Sequence, residues 1–157
     1  MKTAVVFYSL DGNCALVAEE IKSQLNADLI QLHTKDEKKR SNIAKFFWSC
    51  GMMLSRRPPL KPYTFDPSIY DFIVIGAPVW AGSPASPLRT FLAETAISGK
   101  KVAIFVSHAG GKGSALEKLK ALLAGNQIIA ETDFTNPIKE SEKLEKEIED
   151  FVKRFES

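Results

Sequence analysis

Apolar residues follow two alternating rhythms along this chain. Short, nearly continuous apolar runs occur at Ala4–Phe7, Ala27–His33, Phe72–Ala77 (FIVIGA), Lys101–Ser107 (KVAIFVS) and Gln127–Phe134. Such runs predict strands covered on both faces, as in a parallel sheet. Polar Gln31 and His33 place the second run near an edge. Between the runs, apolar residues recur every three or four positions, the mark of helices with one inner face. Val17, Ile21 and Leu25 form one such row, with Ala18 beside it; Ile43, Phe47, Cys50 and Leu54 form another. Leu88, Phe91 and Leu92 follow, then Leu116, Leu119 and Leu123, then Leu144, Ile148, Phe151, Val152 and Phe155. Ser41 is placed to cap a helix from about Asn42 to Leu54, and Ser86 to cap one that Pro87 opens. The last two helices are expected at Ser114–Leu123 and Glu140–Phe155. Strict alternation predicts a three-layer α/β/α sandwich around a five-stranded parallel sheet in the order 2-1-3-4-5.

Composition narrows the class further. The 157 residues suit one domain, 1–157, with a real core. A formal charge of +2, with no basic stripe carrying interleaved aromatics, argues against nucleic acid as a partner. No apolar stretch approaches the length of a membrane span. The first strand starts directly after Met1-Lys2, so no signal peptide is expected, and a cytoplasmic location follows as the expectation. Cys14 and Cys50 form neither a metal-ligand nor a CxxC spacing, and two free thiols fit that compartment. The charged run Lys35–Arg40 reads as a solvated loop. The aromatic helix Asn42–Leu54 reads as core packing, with part of its stripe available to a substrate or partner surface.

Ligands of an open parallel sheet bind beyond the carboxyl ends of its strands, where strand order reverses. Three segments are predicted to meet there. After the first strand comes Ser9-Leu10-Asp11-Gly12-Asn13-Cys14. Gly12 and Asn13 tolerate a sharp turn, which would aim backbone N–H groups at one spot above a helix N-terminus, the outline of a phosphate site. Neither Gly-x-x-x-x-Gly-Lys nor Gly-x-Gly-x-x-Gly is present, and no Lys or Arg lies between Thr3 and Ile21. A nucleoside triphosphate and a Rossmann-type dinucleotide are thereby disfavoured. No Arg follows Cys14 at the spacing a cysteine phosphatase needs. The plain alternative is a βα turn capped by Asn13. The second segment, Pro78-Val79-Trp80-Ala81-Gly82-Ser83-Pro84, is stiffened by proline and offers the flat face of Trp80 to a planar ring; otherwise Trp80 is a half-buried core aromatic. The third, Ser107-His108-Ala109-Gly110-Gly111-Lys112-Gly113, lets backbone approach a ligand closely, or uses its glycines only to turn.

At Ser9, Gly12 and Asn13 the chain resembles flavodoxins, whose first loop carries a Ser/Thr-x-Thr-Gly-Asn-Thr pattern; Asp11 and Cys14 stand where that family usually has Thr. Gly76-Ala77-Pro78-Val79-Trp80-Ala81-Gly82 resembles the family's second flavin loop. The resemblance covers nearly the whole chain and implies a short-chain, flavodoxin-like fold with flavin mononucleotide (FMN) as cofactor. It implies Ser9, Asp11, Gly12, Asn13 and Cys14 at the phosphate, and Pro78, Val79, Trp80, Ala81 and Gly82 beside the ring. Ser107, His108, Ala109, Gly110, Gly111 and Gly113 would lie at its pyrimidine side. No catalytic side chain is implied, because the flavin does the redox chemistry. His108 is expected to hydrogen-bond a neighbouring carbonyl rather than to protonate a substrate. Lys112 would balance a reduced flavin or be solvated. The implied role is electron transfer with a redox partner protein. Typical flavodoxins are strongly acidic and this chain is not, which keeps open an NAD(P)H-dependent reductase of quinones or similar molecules. A non-redox phosphate-binding or interaction domain is the third alternative.

Overall fold

The computed structural model describes residues 1–35 and 57–156. The helix expected at Asn42–Leu54 lies outside them. The described elements are β1 (Thr3–Tyr8), α1 (Asn13–Leu25), β2 (Asp28–Leu32), a 3-10 turn (Pro67–Ile69), β3 (Phe72–Trp80), β4 (Ser83–Pro84), α2 (Ser86–Glu94), β5 (Lys101–His108), α3 (Ala115–Leu122), β6 (Gln127–Thr135) and α4 (Ser141–Glu156). The long strands pair in parallel in the order β2-β1-β3-β5-β6, which is the expected topology.

The sheet has six strands rather than five, because the two-residue β4 folds back antiparallel on β3. This corrects the reading of Pro78–Trp80 as loop: they continue β3, and Val79 and Trp80 pair with Pro84 and Ser83. Proline there is tolerated because its carbonyl is what the sheet uses, accepting from the Ala85 N–H at 2.9 Å. Ser86 is also not a cap. It is the first helical residue of α2, and the N-cap position falls on Ala85, which makes no side-chain capping bond.

The period-two alternation of the strands splits the core in two. Ala4, Val6, Ile73, Ile75, Ile104 and Val106 face α2 and α3, where Leu88, Phe91, Leu116 and Leu119 are fully or almost fully buried. Val5, Phe7, Phe72, Val74, Ala103 and Phe105 face α1 and α4, meeting Val17, Ile21, Ile148 and Phe151. The runs in the three central strands β1, β3 and β5 are thus buried on both sides, which is why they carry no polar alternation, whereas the edge strands β2 and β6 are only partly covered. Gly76 has a separate task. It stands opposite Phe105 in the β3–β5 register, and a Cβ there would fall inside the Phe105 ring. No described helix is long and apolar enough to cross a membrane.

Candidate functional site

The three expected loops come together beyond the carboxyl ends of β1, β3 and β5. Loop one begins as β1 ends. Gly12 takes φ 96° as the N-cap residue of α1, a left-handed conformation that favours glycine, so the cap is Gly12 and not Asn13. The Ser9 hydroxyl oxygen accepts from the N–H groups of both Gly12 and Ala15, each at 3.2 Å. Two backbone donors therefore converge on one oxygen at a helix N-terminus. Asp11 is exposed and its carboxylate accepts from the Asn13 N–H at 3.2 Å. The Asn13 side-chain oxygen accepts from the Ile138 N–H at 3.1 Å, and Ile138 Cδ1 lies 3.6 Å from where a Gly12 Cβ would be. The segment after β6 is thus a fourth participant, which sequence reasoning missed.

The Cys14 thiol is turned inward, 1% exposed, with Sγ 3.0 Å from Ser107 Oγ, so it ties loop one to loop three. Burial pushes the thiol up to about 12, with the Ser107 bond working against the shift and Asp11 adding to it. Below its ordinary pKa of 9.0 the thiol is neutral in folded and unfolded chains alike. Above that value the unfolded chain ionises first, so the contribution to stability is lost as pH rises through the window from 9.0 to about 12. Cys14→Ala should flatten the decline of stability between pH 9 and about pH 11, read by urea melts at each pH. Iodoacetamide at about pH 8 should leave Cys14 unmodified in the native protein, because the thiolate is the nucleophile. Peptide mass mapping that finds Cys14 alkylated at the rate of a denatured control would contradict this burial.

Loop two is a hairpin tip. Ala81 (φ 48°) and Gly82 (φ 72°) both have positive φ, as a two-residue type I′ turn between Trp80 and Ser83 demands. Gly82 meets that demand freely, whereas alanine at the first position carries strain of roughly 1–2 kcal/mol. Half-buried Trp80 stands edge-on to Tyr8, centroids 5.7 Å apart at 88°, so its ring is oriented by the end of β1.

Loop three is braced on both sides. His108 Nε2 is 2.7 Å from Asp133 Oδ2, and the Gly111 N–H donates to His108 Nδ1 at 3.0 Å. That pattern puts the ring proton on Nε2. The expected carbonyl partner is therefore replaced by the Asp133 carboxylate. Lys112 Nζ reaches the other Asp133 oxygen at 3.3 Å. Burial works against the Asp133 charge, but the bonds from His108 and Lys112 outweigh it and hold this carboxyl below the usual carboxylate range. On the opposite side, the Ser114 hydroxyl donates to the Gly82 carbonyl at 3.3 Å, and Lys118 donates to Ser83 Oγ at 2.8 Å. Pro78 pairs with Ser107 across β3 and β5, while Ala109, Gly110, Gly111 and Gly113 are exposed. Asp133, Ser114 and Ile138 were the unrecognised members. An acid near the carboxyl end of a parallel strand was the available signal for the first.

A doubly wound sheet with backbone donors gathered at a helix N-terminus, an oriented aromatic and a glycine-rich loop at its switch point has the form of a small-ligand site. The sequence model of the flavodoxin family (Flavodoxin) matches residues 2–151, and the chain belongs to that family. Among solved structures, the chain is similar to a flavoprotein from Lactobacillus acidophilus NCFM in complex with FMN, at 24% identity and TM-score 0.71, covering 88% of this chain and 96% of that one. It is also similar to a flavoprotein from Bacteroides eggerthii DSM 20697, at 22% identity and TM-score 0.78, with 97% and 96% covered. Two-electron reduced Megasphaera elsdenii flavodoxin matches at 18% identity and TM-score 0.59, with 93% and 94% covered. No curated protein matches.

Proposed function

We propose that this chain binds FMN and transfers electrons between redox partners. The observation that carries the reading is the convergence of the Gly12 and Ala15 N–H groups on one oxygen at the start of α1. That oxygen is the Ser9 hydroxyl, so two N–H groups and a hydroxyl are gathered at one point of a helix N-terminus, a donor set that suits a single phosphate held without a cation. Ser9, Gly12 and Asn13 hold that phosphate, with the Asp11 carboxylate engaged by the Asn13 N–H. Cys14 acts beneath the loop, through Ser107, rather than as a phosphate donor. Trp80, Ala81 and Gly82 border the ring, and His108, Gly110 and Gly111 approach its pyrimidine side. A bound flavin supplies the electron-accepting chemistry. The side chains orient it and limit access. Lys112 shares Asp133 with His108, so its charge is largely compensated. That weakens the pull towards an anionic reduced ring and favours one-electron transfer over hydride chemistry.

Purified protein reconstituted with FMN should hold one equivalent and lose it in acid. Riboflavin should bind at least tenfold more weakly; equal affinity would sink the phosphate cradle. Stepwise dithionite titration should pass through a distinct absorbing species at half reduction. Direct bleaching by NADPH, with turnover on a quinone and no such species, would instead establish the reductase reading that the near-neutral charge favours.

A further inference from the structure

A second site lies away from the three loops, on the outer side of the sandwich. Arg57, Arg89, Leu92, Ala93 and Leu122 line an open groove of about 420 Å³. Arg89, Leu92 and Ala93 belong to α2, and Leu122 ends α3. The segment carrying Arg57 is fastened beside α2, because the Thr90 hydroxyl donates to the Pro58 carbonyl at 2.8 Å. It is fastened again where the Lys35 N–H donates to the Pro59 carbonyl at 3.1 Å, next to the Thr34–Leu60 bridge. The backbone next to Arg57 is therefore held beside α2.

Five lysines among the described residues have acidic partners: Lys2 with Asp28, Lys22 with Glu19, Lys112 with Asp133, Lys120 with Glu131 and Lys153 with Glu149. Arg57 and Arg89 have no hydrogen-bond or ion-pair partner among the described residues. Two guanidiniums without an acidic partner among the described residues share one concavity with an apolar wall, and Leu122 on that wall is 45% exposed. Like charges so placed repel each other, and an anion between them removes the repulsion. The guanidinium fork matches the planar, paired oxygens of carboxylate and phosphate. The volume falls in the range of small-molecule pockets, and the leucines provide area for an apolar body.

We propose that this groove binds a small organic anion, one phosphate or carboxylate joined to an apolar or aromatic body. The two arginines hold its charged end, and Leu92, Ala93 and Leu122 cover its body. The site shares no residue with the three loops, so a ligand here is compatible with an occupied flavin site.

The test is a ¹H–¹⁵N titration of the full chain with phenyl phosphate, benzoate and inorganic phosphate as separate probes. Saturable shifts are expected at Arg89, Leu92, Ala93 and Leu122, with inorganic phosphate at least tenfold weaker than phenyl phosphate. A tighter fit for phenyl phosphate than for benzoate assigns the charged end as phosphate, and the reverse order as carboxylate. Arg89→Gln and, independently, Arg57→Gln should each weaken the aromatic probes about tenfold. Neither variant should lower the melting temperature without probe, since each removes a repulsion. Shifts confined to Gly12–Ala15, no saturable shift, or unchanged affinity in both variants would overturn the proposal. Those outcomes leave the FMN reading standing: shifts confined to Gly12–Ala15 fall on the phosphate cradle itself, and the others concern only the groove.

Discussion

Gly76→Ala should destabilise the protein by about 3 kcal/mol, at the upper end of ordinary overpacking. At roughly 2–4 °C per kcal/mol for a domain of this size, the melting point should fall by about 6–12 °C. The reason is local and specific. Phe105 is fully buried, and its ring occupies the space that any side chain at Gly76 would enter. The ring cannot swing aside easily, because it packs edge-on against Phe134 at 5.9 Å, which packs in turn against Phe151 at 6.3 Å. Phe105→Ala should itself cost about 3–5 kcal/mol through the cavity it leaves. In the double variant the new methyl group enters that cavity, so the combined loss should fall short of the sum by about 1–2 kcal/mol. Equilibrium urea unfolding of the four proteins measures the cycle. Strict additivity would show that the ring does not fill the glycine's space. The cost also matters for function, because β3 and β5 run from this contact directly into loops two and three.

Gly113→Ala should separate the glycines of loop three by role. Gly113 has φ 53°, and a Cβ there would lie 2.9 Å from the Gly82 Cα. The substitution combines left-handed strain of roughly 1–2 kcal/mol with a backbone collision between the two loops. Gly110 has open space around its Cβ position and no positive φ. Gly113→Ala should therefore weaken FMN binding at least tenfold and lower the melting temperature, while Gly110→Ala should change either value little. Flavin fluorescence titration and thermal melts of both variants make the comparison. A Gly113→Ala protein with parental affinity would show that contact between these loops does not shape the flavin site.

The sequence exposed the frame because each central strand is buried on both faces. FIVIGA and KVAIFVS carry that burial in their composition, and the strand order follows from alternation with helices. Helix faces were legible for the same reason: Leu144, Ile148, Phe151 and Val152 are the buried residues of α4. What escaped notice depends on partners distant in the chain. Pro78–Trp80 looks like loop because proline and glycine surround it, and only pairing with Ser83-Pro84 makes it strand. Ser114 sits at the N-cap position of α3, yet its hydroxyl bonds the Gly82 carbonyl instead of capping the helix. Asp133 lies 25 residues from His108 in sequence, and no local pattern links them. The loops could be placed from sequence, whereas the contacts bracing them could not.

The position of β1 between β2 and β3 has a consequence during synthesis. As β1, α1 and β2 leave the ribosome, one edge of β1 has its partner and the other does not. The missing partner, Phe72–Trp80, emerges some seventy residues after Tyr8, about 4–14 s later at 5–20 residues per second. Through that interval a fully apolar strand, Ala4-Val5-Val6-Phe7, presents an open edge of the sort that captures other chains. Nascent chains stalled before Trp80 should therefore be the forms that recruit chaperones and aggregate when chaperones are scarce.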